Sequence, residues 1–335
     1  MALGPIVGGA LTETVGWRAI FWINVPLGVA AFVLAAMFVP ESRAARPRRP
    51  DPVGQLLVAL TLAALTYGII EGPRHGWGSP LIVGLFVVTA LALAELIRWE
   101  QRRTDPLLEL RFFRSIPFTS ATVTAVTAFA AFGAFLFLNT LYLQDVRGYS
   151  ALEAGACTLP MALATFLLAP VAGRIVGARG VRLPLYTAGV CTVIAAAVLT
   201  RLTPTTPLPE LLVAYLIFGI GFGMVNSPIT NTAVSGMPRA LAGVAAAVAS
   251  TSRQVGQSLG VAVSGSIAGA AAGQIGPGFA AATHPAWWLM LCCGVAIVLL
   301  CTVATTRRAR ESAREVASLF TEDTPVPVPA AGLVR

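Results

Sequence analysis

Charge is scarce in this chain of 335 residues: Asp, Glu, Lys and Arg make up only 11% of it, against ~25% in ordinary globular domains. Lysine is absent, so all 23 basic residues are arginine. Histidine occurs only at His75 and His284, both in predicted loops, which leaves no material for a histidine metal cluster or a Ser/His/Asp arrangement. The five cysteines, Cys157, Cys191, Cys292, Cys293 and Cys301, all fall inside apolar runs without ligand spacing. They read as small buried hydrophobes rather than as metal ligands or disulfides. The sequence therefore predicts no enzyme, no metal and no cofactor.

What is abundant is apolar residues, 56% of the chain, with a mean hydropathy of +0.78. A soluble α/β core could not absorb so many long apolar runs, and an all-α membrane protein is expected. The net charge of +8, taken alone, suggests nucleic acid. The arginines instead gather in short clusters between apolar runs, the placement of cytoplasmic loops against a lipid bilayer.

Taken in order, the chain opens with a short Gly-rich run and a longer one at about 19–40. Further crossings are predicted at about 52–70, 79–97, 116–143, 151–172, 183–201, 210–232, 241–270 and 286–306. The Glu71-Gly72-Pro73-Arg74 stretch is read as ending the third run, and residues 107–114 as a short surface helix. That makes about nine full transmembrane helices plus one partial. If the sides alternate, the cytoplasmic loops and tail collect 18 of the 23 arginines. The opposite loops keep only Arg18, Arg74, Arg147 and Arg201, and Arg253 is left inside an apolar run.

The stretch at 4–28, GPIVGGALTETVGWRAIFWINVPLG, organises the reading. Its GPIVGG resembles the glycine–proline signature of helix five in proton-driven antiporters of the major facilitator superfamily. WRAIFWINVPLG is similar to the next loop and the start of helix six in the fourteen-helix multidrug-efflux branch. LYLQDVRGYSALEAGACTLPMAL at 141–163 resembles the end of helix nine and the start of helix ten. APVAGRIVGARGVRLPLYTAG at 169–189 resembles the second-half copy of the superfamily's cytoplasmic loop signature, with Val176-Gly177-Ala178 where an acid is usual. The resemblance implies helices five to fourteen, an incomplete first bundle and an N-terminal truncation. It divides the chain into a remnant of the first bundle (1–40), a linker region with an extra helix pair (41–114), a C-terminal six-helix bundle (115–306) and a cytoplasmic tail (307–335), disordered at its end.

Several polar or small residues stand out against this background. Arg253 lies about twelve residues into an apolar run beside Gln254 and Gln257, and a charge there needs protein or water around it. Residues 253 and 257 share one helical face, which points to a polar stripe on the transport path, with snorkelling or a structural carbonyl partner as the alternative. Asn226 and Asn231 form a second polar patch, and Asn139 marks the outward end of another run. For these, helix–helix hydrogen bonding weighs as much as substrate contact. Gly219, Gly221 and Gly223 thin their helix for close packing. By resemblance, Gly4, Pro5, Gly8 and Gly9, and the loop group Gly173, Arg174 and Gly180, are conformational or gating candidates. No acid lies deep inside a crossing helix.

The resemblance implies export of a small amphipathic or cationic compound by proton-coupled antiport in the complete protein, with the coupling half outside this fragment. A non-transporting membrane scaffold or assembly protein, and an uptake carrier of the same fold, are the alternatives. The expected partners are a small-molecule substrate, protons and the lipid bilayer, not nucleic acid; the expected location is a plasma membrane of the bacterial inner-membrane type, crossed several times. Arginine bias places residues 41–51 and 98–114 in the cytoplasm and 71–79 and 274–285 outside. After replacement of the five native cysteines, Ser79→Cys should react with a membrane-impermeant thiol reagent on intact cells while Ala45→Cys stays protected. The reverse pattern would invert the topology.

Overall fold

A computed structural model describes residues 4–39, 50–103, 106–235, 241–270 and 278–322. Among these residues every regular element is helical. The chain begins with α1 (Gly4–Thr14), α2 (Ala19–Trp22) and α3 (Asn24–Phe38), and continues through the hairpin α4 (Pro52–His75) and α5 (Pro80–Arg102). A 3₁₀ turn at Leu110–Arg114 leads into α6 (Ile116–Leu141), which ends in a π-helical turn at Tyr142–Val146. Then come α7 (Ala151–Cys157), α8 (Leu159–Arg179), α9 (Arg182–Leu199), α10 (Leu208–Val234) and α11 (Ala242–Ala270). The short α12 (Phe279–Ala282), α13 (His284–Ala304) and α14 (Arg307–Glu322) complete it.

Eight helical segments among the described residues are long and apolar enough to cross a membrane. The count expected from the sequence was about nine. The ninth, 241–270, does form as α11, and its 29 residues span ~43 Å at 1.5 Å per residue. It is not one of the eight because Arg253, Gln254, Gln257 and several serines dilute its apolar character. Such a helix needs protein on part of its surface, and α6 supplies it.

The contact of α11 with α6 is backbone against backbone. A Cβ added at Gly256 would collide with the Val126 carbonyl, and one at Gly260 with the Ala130 carbonyl, one turn further on. From the other side, Gly133 sits on the Gln257 carbonyl. The two glycines lie four apart and so face the same way. The α10 helix uses the same device twice. Gly219 abuts Met161 of α8 and Gly223 abuts Thr165 and Leu168, while Gly221, on the opposite side, abuts Ala188 of α9. Between α6 and α10 the filling is aromatic instead: Phe132 stacks on Phe222 at 4.2 Å between ring centres, and Phe135 on Phe218 at 4.4 Å.

Several boundaries differ from the sequence reading; the crossing expected at 151–172 is split at Thr158 into the short α7 and the long α8. The α4 helix continues through Pro73 to His75, where Glu71 pairs with Arg74 and His75 and Gly76 ends it at φ 83°. A proline near a C-terminus removes one donor without unwinding a helix that neighbouring side chains hold. The α8 helix runs to Arg179, so the turn expected around Gly173 and Gly177 is only Gly180–Val181, with Gly180 at φ 81°. The short surface helix expected at 107–114 is a 3₁₀ turn whose Phe112 is 0% exposed, packed edge-on against Phe118 at 5.2 Å.

At one end of the bundle Arg147 donates to the carbonyls of Pro204 (3.0 Å) and Thr206 (2.8 Å), and Tyr142 to Thr203 (2.7 Å). An arginine on the arginine-poor side therefore has a loop-clamping job. At the other end α14 lies against α6 and the 3₁₀ turn, with Ser312 Oγ accepting the Ile116 N–H at 3.1 Å. The arginines at 43–49 and 239, the loop at 271–277 and the tail from 323 lie outside the described residues.

Gly260→Val should destabilise the folded chain by ~1–3 kcal/mol, because the α6 backbone cannot yield to a methyl group. Gly269→Ala, with nothing within 4 Å, should be neutral or slightly stabilising. Thermal unfolding in detergent checks both, and equal losses would contradict the packing.

Candidate functional site

The singled-out residues gather in two places and leave two others apart. The first place is the edge between α10 and α11. Arg253 Nη1 donates to Thr230 Oγ1 at 3.2 Å, and Thr230 Oγ1 donates to the Asn226 carbonyl at 3.3 Å. Arg253 and Gln257 are half-buried and Gln254 is exposed, so the polar stripe lies along the rim of the bundle rather than in its core. Asn226 is half-buried on α10, and Asn231 is exposed near the end of that helix. There Asn231 lines a cleft of about 360 Å³ with Pro117, Val181, Ser235 and Arg310. Thr230 was missed in the sequence. Its spacing of four from Asn226 would have placed it on the same face, but only the fold brings Arg253 to it.

Among the described residues Arg253 is held by a single hydroxyl, with two amides beside it, which leaves most of its five donors for water or another molecule. That arrangement suits a polar surface inside a membrane better than a closed structural pair.

The second place is the junction of α1 with α7. Gly9 is buried, and a Cβ there would lie 2.5 Å from the Ala151 carbonyl oxygen. One turn on, Glu13 Oε2 accepts from Ser150 Oγ at 3.1 Å and from the Leu152 N–H at 3.3 Å. Ser150 also caps α7 itself, exchanging hydrogen bonds with Glu153. The Glu13 carboxylate thus joins the caps of a helix start, where free N–H groups and the helix dipole favour negative charge. Gly8 faces open space in a cleft of about 360 Å³ with Thr12, Leu136, Thr140, Gln144 and Thr158. Gly4 is exposed, and Pro5 is helical in its backbone, its side chain lying outside the described residues. Glu13 carried no signal in the sequence beyond its position beside a loop.

Asn139 lies in neither place. It is 1% exposed, accepts from Tyr215 Oη at 2.5 Å and donates to the Phe135 carbonyl at 2.8 Å. That is a helix–helix hydrogen bond between α6 and α10, one of its two expected roles. Gly173 and Arg174 lie exposed on the last turns of α8, Gly173 with Ser227 Oγ 3.6 Å from its would-be Cβ, and Gly180 makes the turn. Among the described residues no three His, Cys, Asp or Glu side chains stand together to hold a metal.

The sequence profile of the Major Facilitator Superfamily matches residues 1–261 of this chain. The chain belongs to the Major Facilitator Superfamily. Among similar proteins, multidrug resistance protein Stp of Mycobacterium tuberculosis is 34% identical over 262 residues, 78% of this chain and 49% of that protein. The tetracenomycin C resistance and export protein of Streptomyces glaucescens is 35% identical over 277 residues, 82% of this chain and 52% of that protein. The puromycin resistance protein pur8 of Streptomyces alboniger is 34% identical over 267 residues, 78% of this chain and 53% of that protein. The chain spans about half the length of these curated relatives. As a superfamily member with eight helical segments long and apolar enough to cross a bilayer among its described residues, it is a multi-pass membrane protein.

The α1–α7 junction of this superfamily member should depend on one glycine and not on its neighbour. Gly9→Val should speed amide hydrogen exchange in residues 4–14 by ~10-fold or more, the effect of losing a docked contact. Gly8→Val, facing open space, should leave it unchanged. Equal exchange in the two variants would show that Gly9 does not set this contact.

Proposed function

We propose that these residues form the second bundle, the extra helix pair and the junction to the first bundle of a fourteen-helix drug:proton antiporter. In this reading residues 115–306 move as one body against a first bundle, and a small amphipathic or cationic compound is exported between them. The observation that carries it is the α10–α11 edge. Arg253 there is half-buried in a membrane-spanning bundle and meets a single side-chain hydroxyl, while Gln254 and Gln257 continue the polar strip beside it. The names of the relatives, which speak of resistance and export, support the direction of transport. The α1–α7 junction supports the mechanism. Gly9 and Glu13 make a close, polar contact between a helix of the first bundle and the second, of the kind that rocking would open and close.

Proton coupling is assigned to the complete transporter and not to a residue of the α10–α11 edge, which holds no acid. Its carboxylate belongs, in this reading, to the part of the relatives' length that the present residues do not cover. The C-terminal helix α14 and the arginine-rich ends of α5 and α8 lie on the cytoplasmic side.

In a complete transporter containing these residues, Arg253→Leu should keep expression and a monodisperse size-exclusion profile while reducing efflux per folded molecule by ~10-fold or more, the loss of one charged contact. Arg253→Lys should restore part of it, since the charge returns without the planar fork. Unchanged efflux per folded molecule in the leucine variant would remove Arg253 from the path.

A further inference from the structure

The end of the α4–α5 hairpin carries a cluster of charge that export does not use. Asp51 caps α4: its Oδ1 accepts the Gly54 N–H at 3.0 Å, and Trp99 Nε1 donates to its two oxygens at 3.1 and 3.2 Å. Arg103 Nε stands 3.7 Å from Asp51 Oδ2. Glu100, next to Trp99 on α5, is 3% exposed, and its Oε2 accepts the Leu108 N–H at 3.2 Å. Its other oxygen, Oε1, is buried and has no hydrogen-bond partner. The two acids meet at Gly54, where an added Cβ would lie 2.7 Å from Asp51 Oδ2 and 2.9 Å from Glu100 Oε1.

Two buried carboxylates that converge on one glycine cannot both carry charge without strong repulsion, and a charged oxygen with no donor loses its hydration for nothing. Glu100 borders a cavity of about 510 Å³, but its Oε1 is turned away from open surface, and a proton on that oxygen satisfies it without any further ligand. Of the two acids, Asp51 is the one supplied with donors. The Gly54 N–H, with Trp99 and Arg103 behind it, holds the Asp51 carboxyl below the usual carboxylate range in spite of its burial.

We propose that Asp51 and Glu100 bind one proton between them, carried on Glu100, and that this proton keeps the segment at 106–114 docked on the α4–α5 hairpin. The Leu108 N–H held by Glu100 is the link to that segment, which leads through the 3₁₀ turn directly into α6. Among the described residues few other charges face the pair. Arg103 is the nearest cation, and across the adjoining cavity of about 510 Å³ stand Arg114 and the Glu109–Arg111 pair, 2.9 Å apart. Glu95 pairs with Arg98 further along α5. Helix α11, which packs on α4, carries one charged residue, Arg253, and that donates to Thr230 of α10. When the proton leaves to water, two negative charges face each other at Gly54. Docking therefore weakens as pH rises, the opposite direction to the loss on acidification expected of a capped, charged carboxylate such as Asp51.

Infrared spectroscopy of the full chain in lipid nanodiscs at about neutral pH tests the proton directly, because a protonated buried carboxyl has its own C=O stretch that shifts in D₂O. The wild type should show that band and Glu100→Gln should lack it. No band in the wild type, or the same band in Glu100→Gln, would overturn the proposal. So would failure of Glu100→Gln to fold, since glutamine reproduces the shape and neutrality of the protonated acid. Docking is read at the Leu108 amide. Its hydrogen exchange, corrected for the intrinsic pH dependence, should rise ~10-fold or more between about pH 6 and about pH 9 in the wild type and stay level in Glu100→Gln. The same rise in both chains, or none in the wild type, would show that no proton holds the segment.

Discussion

Everything in this structure depends on how closely one helix backbone can approach another. In water, apolar side chains drive helices together, but lipid tails are as apolar as leucine and provide no such drive. Association must come from dispersion contacts and hydrogen bonds at short range, and short range requires missing side chains. Gly256 and Gly260 let α11 rest on the carbonyls of α6, and Gly219, Gly221 and Gly223 let α10 touch α8 on one side and α9 on the other. Gly9 does the same for α1 against α7. Where glycine is absent, flat rings take over, as between α6 and α10.

That economy explains which polar residues are tolerated. A helix held by close backbone contact can carry Arg253, Gln254 and Gln257 without being apolar enough to cross lipid alone. Several polar groups find partners across the helices: buried Asn139 with Tyr215, Arg147 with loop carbonyls, and exposed Glu13 with the cap of α7. Glu100 is the carboxylate among the described residues left with a buried oxygen unsatisfied, which is why the hairpin end stands apart.

Much of the fold was legible in the sequence because apolar runs and loop arginines are local signals. The predicted runs at 116–143, 183–201 and 210–232 lie within a few residues of α6, α9 and α10. Misreadings arose where a local breaker was overruled by neighbours. Pro73 sits inside α4, and the glycines at 173 and 177 sit inside α8. Less of the candidate site was legible. Arg253 and Asn226 stood out as polar residues in apolar runs, but Thr230 and Glu13 gain their meaning only from partners 23 and 137 residues away in sequence. Phe112 looked like surface because nothing in its own segment shows Phe118 beside it.

The central claim is that the α10–α11 edge faces a water-filled, substrate-bearing space and not lipid. Single cysteines along α11 in a complete transporter, probed with a membrane-impermeant thiol reagent with and without substrate, test it most directly. Reaction is expected at Gln254→Cys and Gln257→Cys, slowed by substrate, with none at Ala249→Cys, which is buried in the bundle. Unreactive cysteines at both glutamine positions, or reaction there that substrate never alters, would contradict it.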